Sequence, residues 1–127
     1  MVIDDVLSLY NKAKLAAEKT YSPYSKFPVG ATVLTKTGET FDGTNVENAA
    51  YGSTICAERT AVGNAVSNGH TDIKAIAIWA PVDSIPPCGA CRQFLAEFGD
   101  DIIVIFKYSG QIVQKTIAEL LPYKFKF

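Results

Sequence analysis

The chain has 127 residues, with twelve Lys and Arg against thirteen Asp and Glu and a formal charge of −1. This length suits one domain with a sizeable core, and the charge balance excludes a broad basic surface for a nucleic-acid backbone. The amphipathic N-terminus does not resemble a signal peptide, and no apolar run is long enough to span a bilayer. Because three cysteines without a secretion signal indicate a reducing compartment, we expect a single cytoplasmic domain over residues 1–127.

The predicted elements alternate between helices and strands. The first is an amphipathic helix from about Ile3 to Lys19, followed by an aromatic loop without periodicity over 20–28. The next elements, in chain order, are a hairpin of strands over 29–35 and 40–46, a connector over 47–53, a helix from about Thr54 to Val66, a buried strand over 73–80, a helix from about Cys88 to Phe98, two strands over 102–106 and 111–115, and a final turn capped by Thr116. Since strand–helix–strand units cross over right-handed, this order predicts a three-layer α/β/α fold. It has one mixed five-stranded sheet, helices on both faces, and its last two strands antiparallel.

All three cysteines lie at the starts of two predicted helices. Cys56 opens one helix, and Cys88 and Cys91 open the next with two residues between them. Helix N-termini stabilise anionic sulfur. Three thiolates together with the nearby carboxylate of Glu58 predict a catalytic zinc centre that keeps one position for water.

Two other interpretations of these cysteines stay open. The spacing of Cys88 and Cys91 is also that of a thioredoxin-like redox pair. A structural zinc site would need a fourth protein ligand. The only histidine, His70, falls at the far end of the Cys56 helix, about 20 Å from its start. We expect His70 to face solvent there.

Two charged residues follow Cys56 closely. Glu58 is suited to take a proton from an activated water and pass it to a substrate, although a carboxylate here would also complement the helix dipole. Arg59 would compensate the negative charge of three thiolates on one dication, or it would be an ordinary surface arginine. A Cys-x-Glu segment followed by Pro-Cys-x-x-Cys matches the set of residues that zinc deaminases use.

The segments 56–59 (CAER) and 87–93 (PCGACRQ) resemble the short, all-cysteine class of cytidine deaminases. The resemblance extends to 23–31, 45–49 and 119–122, so it covers nearly the whole chain. It implies the fold of that family and one zinc ion per subunit, bound by Cys56, Cys88 and Cys91, with Glu58 as the catalytic proton carrier. The implied reaction converts cytidine and 2′-deoxycytidine to uridine and 2′-deoxyuridine with release of ammonia, in pyrimidine salvage.

The resemblance also implies contacts with the substrate. Phe27 corresponds to the ring that packs on the pyrimidine, although core packing would also explain a phenylalanine there. Asn45 and Glu47 correspond to the pair that holds the ribose hydroxyls. Without the resemblance, Asn45 would be interpreted as a turn residue and Glu47 as a solvated carboxylate. The backbone of Ala57 corresponds to the group that meets the O2 edge of the base.

The resemblance further implies a homotetramer with its sites at subunit interfaces. Tyr51 and Phe125 match positions that neighbouring subunits contribute, although the tail Lys124-Phe125-Lys126-Phe127 departs from the family pattern. The expected partners are small molecules, with no nucleic acid and no membrane. The competing functions are deamination of a related cytosine nucleotide or nucleoside analogue, and a non-catalytic, zinc-stabilised binding module.

Overall fold

The computed structural model describes all 127 residues. Its elements, in chain order, are α1 (Ile3–Ala17), β1 (Gly30–Thr35), β2 (Thr40–Thr44), a short 3₁₀ turn (Tyr51–Ser53), α2 (Ala57–Ser67), β3 (Ile73–Trp79), α3 (Gly89–Ala96), β4 (Ile103–Tyr108), β5 (Gln111–Thr116) and α4 (Ile117–Leu120). Every helix and strand expected from the sequence is present, with boundaries that differ by no more than three residues. None of the helices is both long and apolar enough to cross a lipid bilayer.

The middle layer is a five-stranded sheet with the order β2-β1-β3-β4-β5. Its strands pair antiparallel except for β3 and β4, which run parallel. A parallel pair needs a long crossover, and α3 lies on that crossover between the two strands. The mixed sheet with an antiparallel final pair therefore confirms the predicted fold class.

Alternating residues of the central strand β3 serve the two faces of the sheet. Ala75 and Ala77 pack with α1 in one apolar cluster. Ile76 and Ile78 lie in the other cluster, which includes residues of α2, α3 and α4. This period of two explains why the segment is apolar almost throughout, since both of its faces are covered by helices.

Two glycines let the helices approach the sheet closely. A Cβ added at Gly30 would lie 2.0 Å from the carbonyl oxygen of Ala13 in α1. On β2, a Cβ added at Gly43 would lie 2.2 Å from the backbone nitrogen of Ala61 in α2. Since the atoms in the way belong to the helix backbone, no side-chain rotation can relieve the clash.

The segment before α2 is extended rather than helical, which is the largest departure from the predicted boundaries. Val46 and Ile55 exchange two backbone hydrogen bonds of 2.9 Å, so each N–H donates to the other's carbonyl. This bridge holds the chain extended up to Cys56, which caps α2 with φ −71° and ψ 152°. The helix therefore begins at Ala57, and Cys56 is its N-cap residue.

We expect Gly30→Ala to lower the free energy of unfolding by about 3 kcal/mol, because the added methyl overpacks the contact between α1 and β1. Gly63→Ala in α2 is the matched control, since nothing lies within 4 Å of its added Cβ. The control should stabilise the protein by roughly 0.5–1 kcal/mol. Denaturant unfolding at one protein concentration measures both, and equal midpoints for the two variants would contradict the close approach.

Candidate metal centre and adjoining cleft

Three cysteine sulfurs meet where α2 and α3 begin. The sulfurs of Cys56, Cys88 and Cys91 all lie within 4.8 Å of one another. Cys56 is the N-cap of α2, Cys88 is the N-cap of α3, and Cys91 lies in the first turn of α3. The structure therefore brings together the three residues that the sequence singled out, from segments about thirty residues apart.

The chemistry of this cluster fits a zinc ion. All three cysteines are free, and the sulfurs of Cys88 and Cys91 are 3.4 Å apart, well beyond a disulfide bond of about 2.05 Å. Convergence of Cys56 on this pair is expected for a metal centre, whereas a simple redox pair has no use for a third sulfur. Zinc accepts three thiolates and leaves a fourth position for water or substrate.

Arg59 places positive charge beside the sulfurs. Its Nη2 lies 3.6 Å from the sulfur of Cys56. The Cys91 thiol, and then Arg59, donate to Cys56 and lower the pKa of Cys56 to about 5. The same contact with Cys56 raises the pKa of Arg59. A cationic group is thus built into the cluster, so Arg59 is more than a surface residue of α2.

Glu58 is buried against the cysteines rather than displayed on the helix surface. Its relative exposure is 6%. Burial raises the pKa of the Glu58 carboxyl, and the nearby Cys56 adds to this effect. A raised pKa favours a carboxyl group that must both accept and release a proton near neutral pH.

A cleft of about 410 Å³ opens beside the sulfurs. Two of the cysteines and most of the predicted substrate-binding residues line it. The complete lining is Ser25, Phe27, Val29, Asn45, Glu47, Tyr51, Thr54, Cys56, Ala57, Glu58, Ile85, Pro86 and Cys88. Its size, and its mixture of apolar and polar walls, suit a small molecule of nucleoside dimensions.

Asn45 holds the loop that carries Phe27. The side-chain amide of Asn45 donates to the Phe27 carbonyl at 2.8 Å. Its Oδ1 accepts the backbone N–H of Val29 at 3.1 Å and also the hydroxyl of Thr20. Asn45 is 8% exposed. Its role is therefore to pin both ends of the aromatic loop, which goes beyond that of a turn residue.

Glu47 holds the middle of the same loop. Its Oε1 accepts the backbone N–H groups of Tyr24 and Ser25, each at 3.0 Å, and its Oε2 accepts the Ser25 hydroxyl. The Ser25 hydroxyl, the Ser25 backbone and then the Tyr24 backbone lower the pKa of the Glu47 carboxyl. At 7% exposure, Glu47 is not the solvated carboxylate that the isolated sequence suggests.

Several cleft residues were not predicted as site residues. Ser25 belongs to the aromatic loop and Val29 directly follows it. Thr54 precedes Cys56, and Ile85 and Pro86 precede Cys88. The signal that could have identified Ser25 is its place two residues before Phe27 in the family-like segment 23–31. Ile85 and Pro86 carry no chemical signal, because their contribution depends only on where the loop before α3 runs.

Two predicted residues lie at the margin of the cleft or outside it. Tyr51 lines the cleft, with 76% of its surface exposed. Phe125 lies beside α3 instead, where its carbonyl accepts a hydrogen bond of 3.1 Å from Gln93 and its ring packs against Phe127. Within one chain, therefore, Phe125 does not reach the cleft.

His70 is not solvent-facing, contrary to the expectation from sequence. Its ring nitrogens lie 3.1 Å from a Glu39 oxygen and 3.4 Å from an Asp72 oxygen, and only 21% of the side chain is exposed. The ring also packs on Phe41, with centroids 5.3 Å apart. The helix end turns back onto the β1–β2 hairpin, which covers the imidazole. His70 does not belong to the metal-ligating cluster.

Comparisons with known proteins agree with this geometry. Residues 4–107 match the family model described as the cytidine and deoxycytidylate deaminase zinc-binding region. The cytidine deaminase of Sporosarcina psychrophila is 47% identical over 121 residues, covering 93% of this chain and 89% of that protein. The blasticidin-S deaminase of Bacillus cereus is 36% identical over 123 residues, covering 88% of each. The crystal structure of cytidine deaminase from Burkholderia pseudomallei superposes with a TM-score of 0.90 at 41% identity, covering 98% of this chain and all of that one.

The hydrogen bonds to Glu47 predict a pH-dependent contribution to stability. Because the pKa of Glu47 is lowered on folding from 4.5, the carboxylate stabilises the protein above that pH and loses this effect as the pH falls through the lower folded value. The wild-type protein should therefore be more stable than Glu47→Gln at pH 7, with a difference that shrinks below pH 4.5. Denaturant unfolding between pH 3 and 7 measures it. A difference between the wild type and Glu47→Gln that stayed constant over this pH range would refute the linkage.

Proposed function

Because the chain belongs to the cytidine and deoxycytidylate deaminase family, we propose that residues 1–127 form a single zinc-dependent deaminase domain. Its reaction is the hydrolysis of cytidine and 2′-deoxycytidine to uridine and 2′-deoxyuridine, with release of ammonia, in pyrimidine salvage. The observation that carries the proposal is the cleft itself. A buried Glu58, two of the three converged cysteines and Phe27 line the same cleft.

Zinc is the cofactor, one ion per subunit, and we assign Cys56, Cys88 and Cys91 as its ligands. Their convergence and the dipoles of α2 and α3 support the assignment. When bound, zinc supplies an electrophilic centre that makes water acidic enough to act as the nucleophile. Arg59, 3.6 Å from the Cys56 sulfur, offsets the negative charge of three thiolates and so preserves that electrophilic character.

Glu58 carries the protons of the reaction. Its carboxylate first accepts a proton from the attacking water and then, as a carboxyl, gives that proton to N3 of the cytosine ring, which makes C4 more electrophilic. Its carboxylate then takes the proton of the hydroxyl added at C4 and delivers it to the departing amine. The balance is one water consumed, one carbonyl formed and one ammonia released. Burial supports this double role, since it moves the pKa of Glu58 upward.

The hydrogen-bonding capacity left on Asn45 and Glu47 supports binding of one sugar hydroxyl. Both Asn45 Oδ1 lone pairs and both Glu47 Oε1 lone pairs are used within the chain. One amide hydrogen of Asn45 and one lone pair on Glu47 Oε2 are left for the substrate. One sugar hydroxyl that accepts a hydrogen bond from the Asn45 amide and donates one to Glu47 Oε2 uses both of these remaining groups. Since ribose and deoxyribose share a 3′-hydroxyl, this pair suits both nucleosides.

We assign the remaining substrate contacts to Phe27, which packs on the pyrimidine ring, and to the backbone of Ala57, which meets its O2 edge. The presence of both residues in the cleft lining supports the assignment. The carboxylate of Glu47 near the sugar repels a phosphate, which favours nucleosides over deoxycytidylate and nucleic acid.

We assign a cytoplasmic homotetramer in which Tyr51 and Phe125 complete the sites of neighbouring subunits. The exposure of these two aromatic side chains, 76% and 72%, supports an assembly that covers them. Three unpaired cysteines suit a reducing compartment.

A related substrate is the second candidate. The 36% identity with a blasticidin-S deaminase favours blasticidin S or another cytosine nucleoside analogue as an alternative to cytidine. The same cleft and the same chemistry would serve, so only the substrate would differ.

The function is tested by following absorbance loss and ammonia release with cytidine, deoxycytidine, blasticidin S, deoxycytidylate and a cytosine-containing oligonucleotide. We expect turnover of the first two, and Glu58→Gln should lower kcat by about 10²–10⁴-fold while the protein keeps its zinc. The exposed Glu97→Gln serves as control and should match the wild type. Zinc-loaded protein that leaves cytidine and deoxycytidine intact would refute the activity, and blasticidin S turnover alone would establish the second candidate.

Cys88→Ala should remove one of three ligands and abolish stoichiometric zinc binding, because two thiolates do not make a stable site. Metal analysis after gel filtration measures the loss. Thr54→Ala alters the same cleft without removing a sulfur and should retain one zinc per chain. A Cys88→Ala protein that still held one zinc would refute the ligand assignment.

A further inference from the structure

Arg92 lies outside the proposed catalytic set but bridges two parts of the chain. Its Nε donates to the carbonyl of Pro87 at 2.8 Å, and its Nη1 donates to the carbonyl of Leu120 at 2.9 Å. Pro87 immediately precedes Cys88, and Leu120 is the last residue of α4. One half-buried guanidinium therefore connects the turn that carries a sulfur to the C-terminal helix.

The Pro87 carbonyl accepts no other hydrogen bond within the chain. Pro87 is buried, and it lies one residue before the N-cap, so α3 cannot use its carbonyl. The first hydrogen bond of α3 runs instead from the Arg92 N–H to the Cys88 carbonyl at 3.0 Å. Neither Pro86 nor Pro87 has an N–H to anchor the turn. The nearest upstream backbone anchor is Ile85, whose N–H donates to Lys107 at 2.9 Å.

Cys88 is the sulfur that depends most on this turn. Cys91 is fully buried within α3, and Cys56 is half-buried after the bridge between Val46 and Ile55. Cys88 is exposed at the mouth of the cleft. Packing therefore fixes the other two sulfurs, whereas the position of Cys88 depends on the orientation of the Pro87–Cys88 peptide.

We propose that Arg92 is a positioning residue for the zinc centre. Its charged donor at Nε fixes the Pro87–Cys88 peptide, and through it the sulfur of Cys88, while Nη1 ties this turn to α4. Charge-assisted hydrogen bonds are stronger than neutral ones, which suits an anchor for an exposed turn. The role rests on the proposed function, because it presupposes that the three cysteines hold zinc.

Two substitutions separate the two arms of the guanidinium. Glutamine places its amide nitrogen where arginine has Nε, so Arg92→Gln keeps the donor to Pro87 and loses the donor to Leu120. Lysine has a methylene at that position and its ammonium further out, so Arg92→Lys loses the donor to Pro87 and keeps charge near Leu120. Thr116→Ala is the matched control for α4, because the Thr116 hydroxyl caps that helix by accepting the Glu119 N–H at 3.2 Å.

The test is the rate at which the purified, zinc-loaded protein releases zinc to a colorimetric chelator. We expect Arg92→Lys and Arg92→Ala to release zinc about 10–100-fold faster than the wild type, the effect typical of a lost partner behind a ligand. Arg92→Gln and Thr116→Ala should stay within about threefold of the wild-type rate. Excess zinc should restore kcat of Arg92→Lys with an unchanged KM for cytidine, since the defect lies in holding the metal.

If Arg92→Lys released zinc at the wild-type rate, the positioning role of Arg92 would be overturned. The role would also be overturned if Thr116→Ala accelerated zinc release as much as Arg92→Lys, because α4 would then give only general support. If Arg92→Ala does not fold, comparing the zinc-release rates of Arg92→Lys and Arg92→Gln still tests the positioning role. Absence of zinc from the wild-type protein would overturn the proposed function itself, a result distinguishable from equal release rates in zinc-loaded variants.

Discussion

The meeting of two helix N-termini is the constraint on which the rest of the structure depends. Three sulfurs within 4.8 Å repel one another once ionised, so the fold must supply positive potential at that point. It does so with the dipoles of α2 and α3 and with the guanidinium of Arg59. Gly43 lets α2 approach the sheet, and the parallel pair of β3 and β4 sets the crossover that contains α3.

The cleft has a second requirement, which is that the loop lining part of it is ordered. Residues 20–29 contain no helix or regular strand of their own, so buried polar side chains order them. The side chains of Asn45 and Glu47 do this through six hydrogen bonds, of which they accept five from this segment and donate one to it. Phe27 is thereby held in the same cleft that Glu58 lines.

The sequence predicted the fold well because its signals were local. The apolar run of β3, the turn at Gly110 and the cap at Thr116 each determine a structure within a few residues. It was less informative wherever one segment depends on a distant one. The bridge between Ile55 and Val46 moves the start of α2 to a later residue than predicted. The hairpin covers His70. No local sequence pattern indicates either contact. The contacts of Arg92 with the turn before Cys88 and with α4 likewise could not be predicted from the sequence.

The double role proposed for Asn45 and Glu47 limits how this enzyme can evolve or be redesigned. The atoms proposed to face the sugar belong to the same two side chains that hold the loop, so one substitution alters both properties at once. We therefore expect a change in sugar preference to need paired substitutions, because Thr20 and Ser25 donate hydrogen bonds to these two side chains. Tyr51 also lines the cleft, but its side chain makes no hydrogen bond to the loop, so a substitution there changes the cleft wall and leaves the loop ordered.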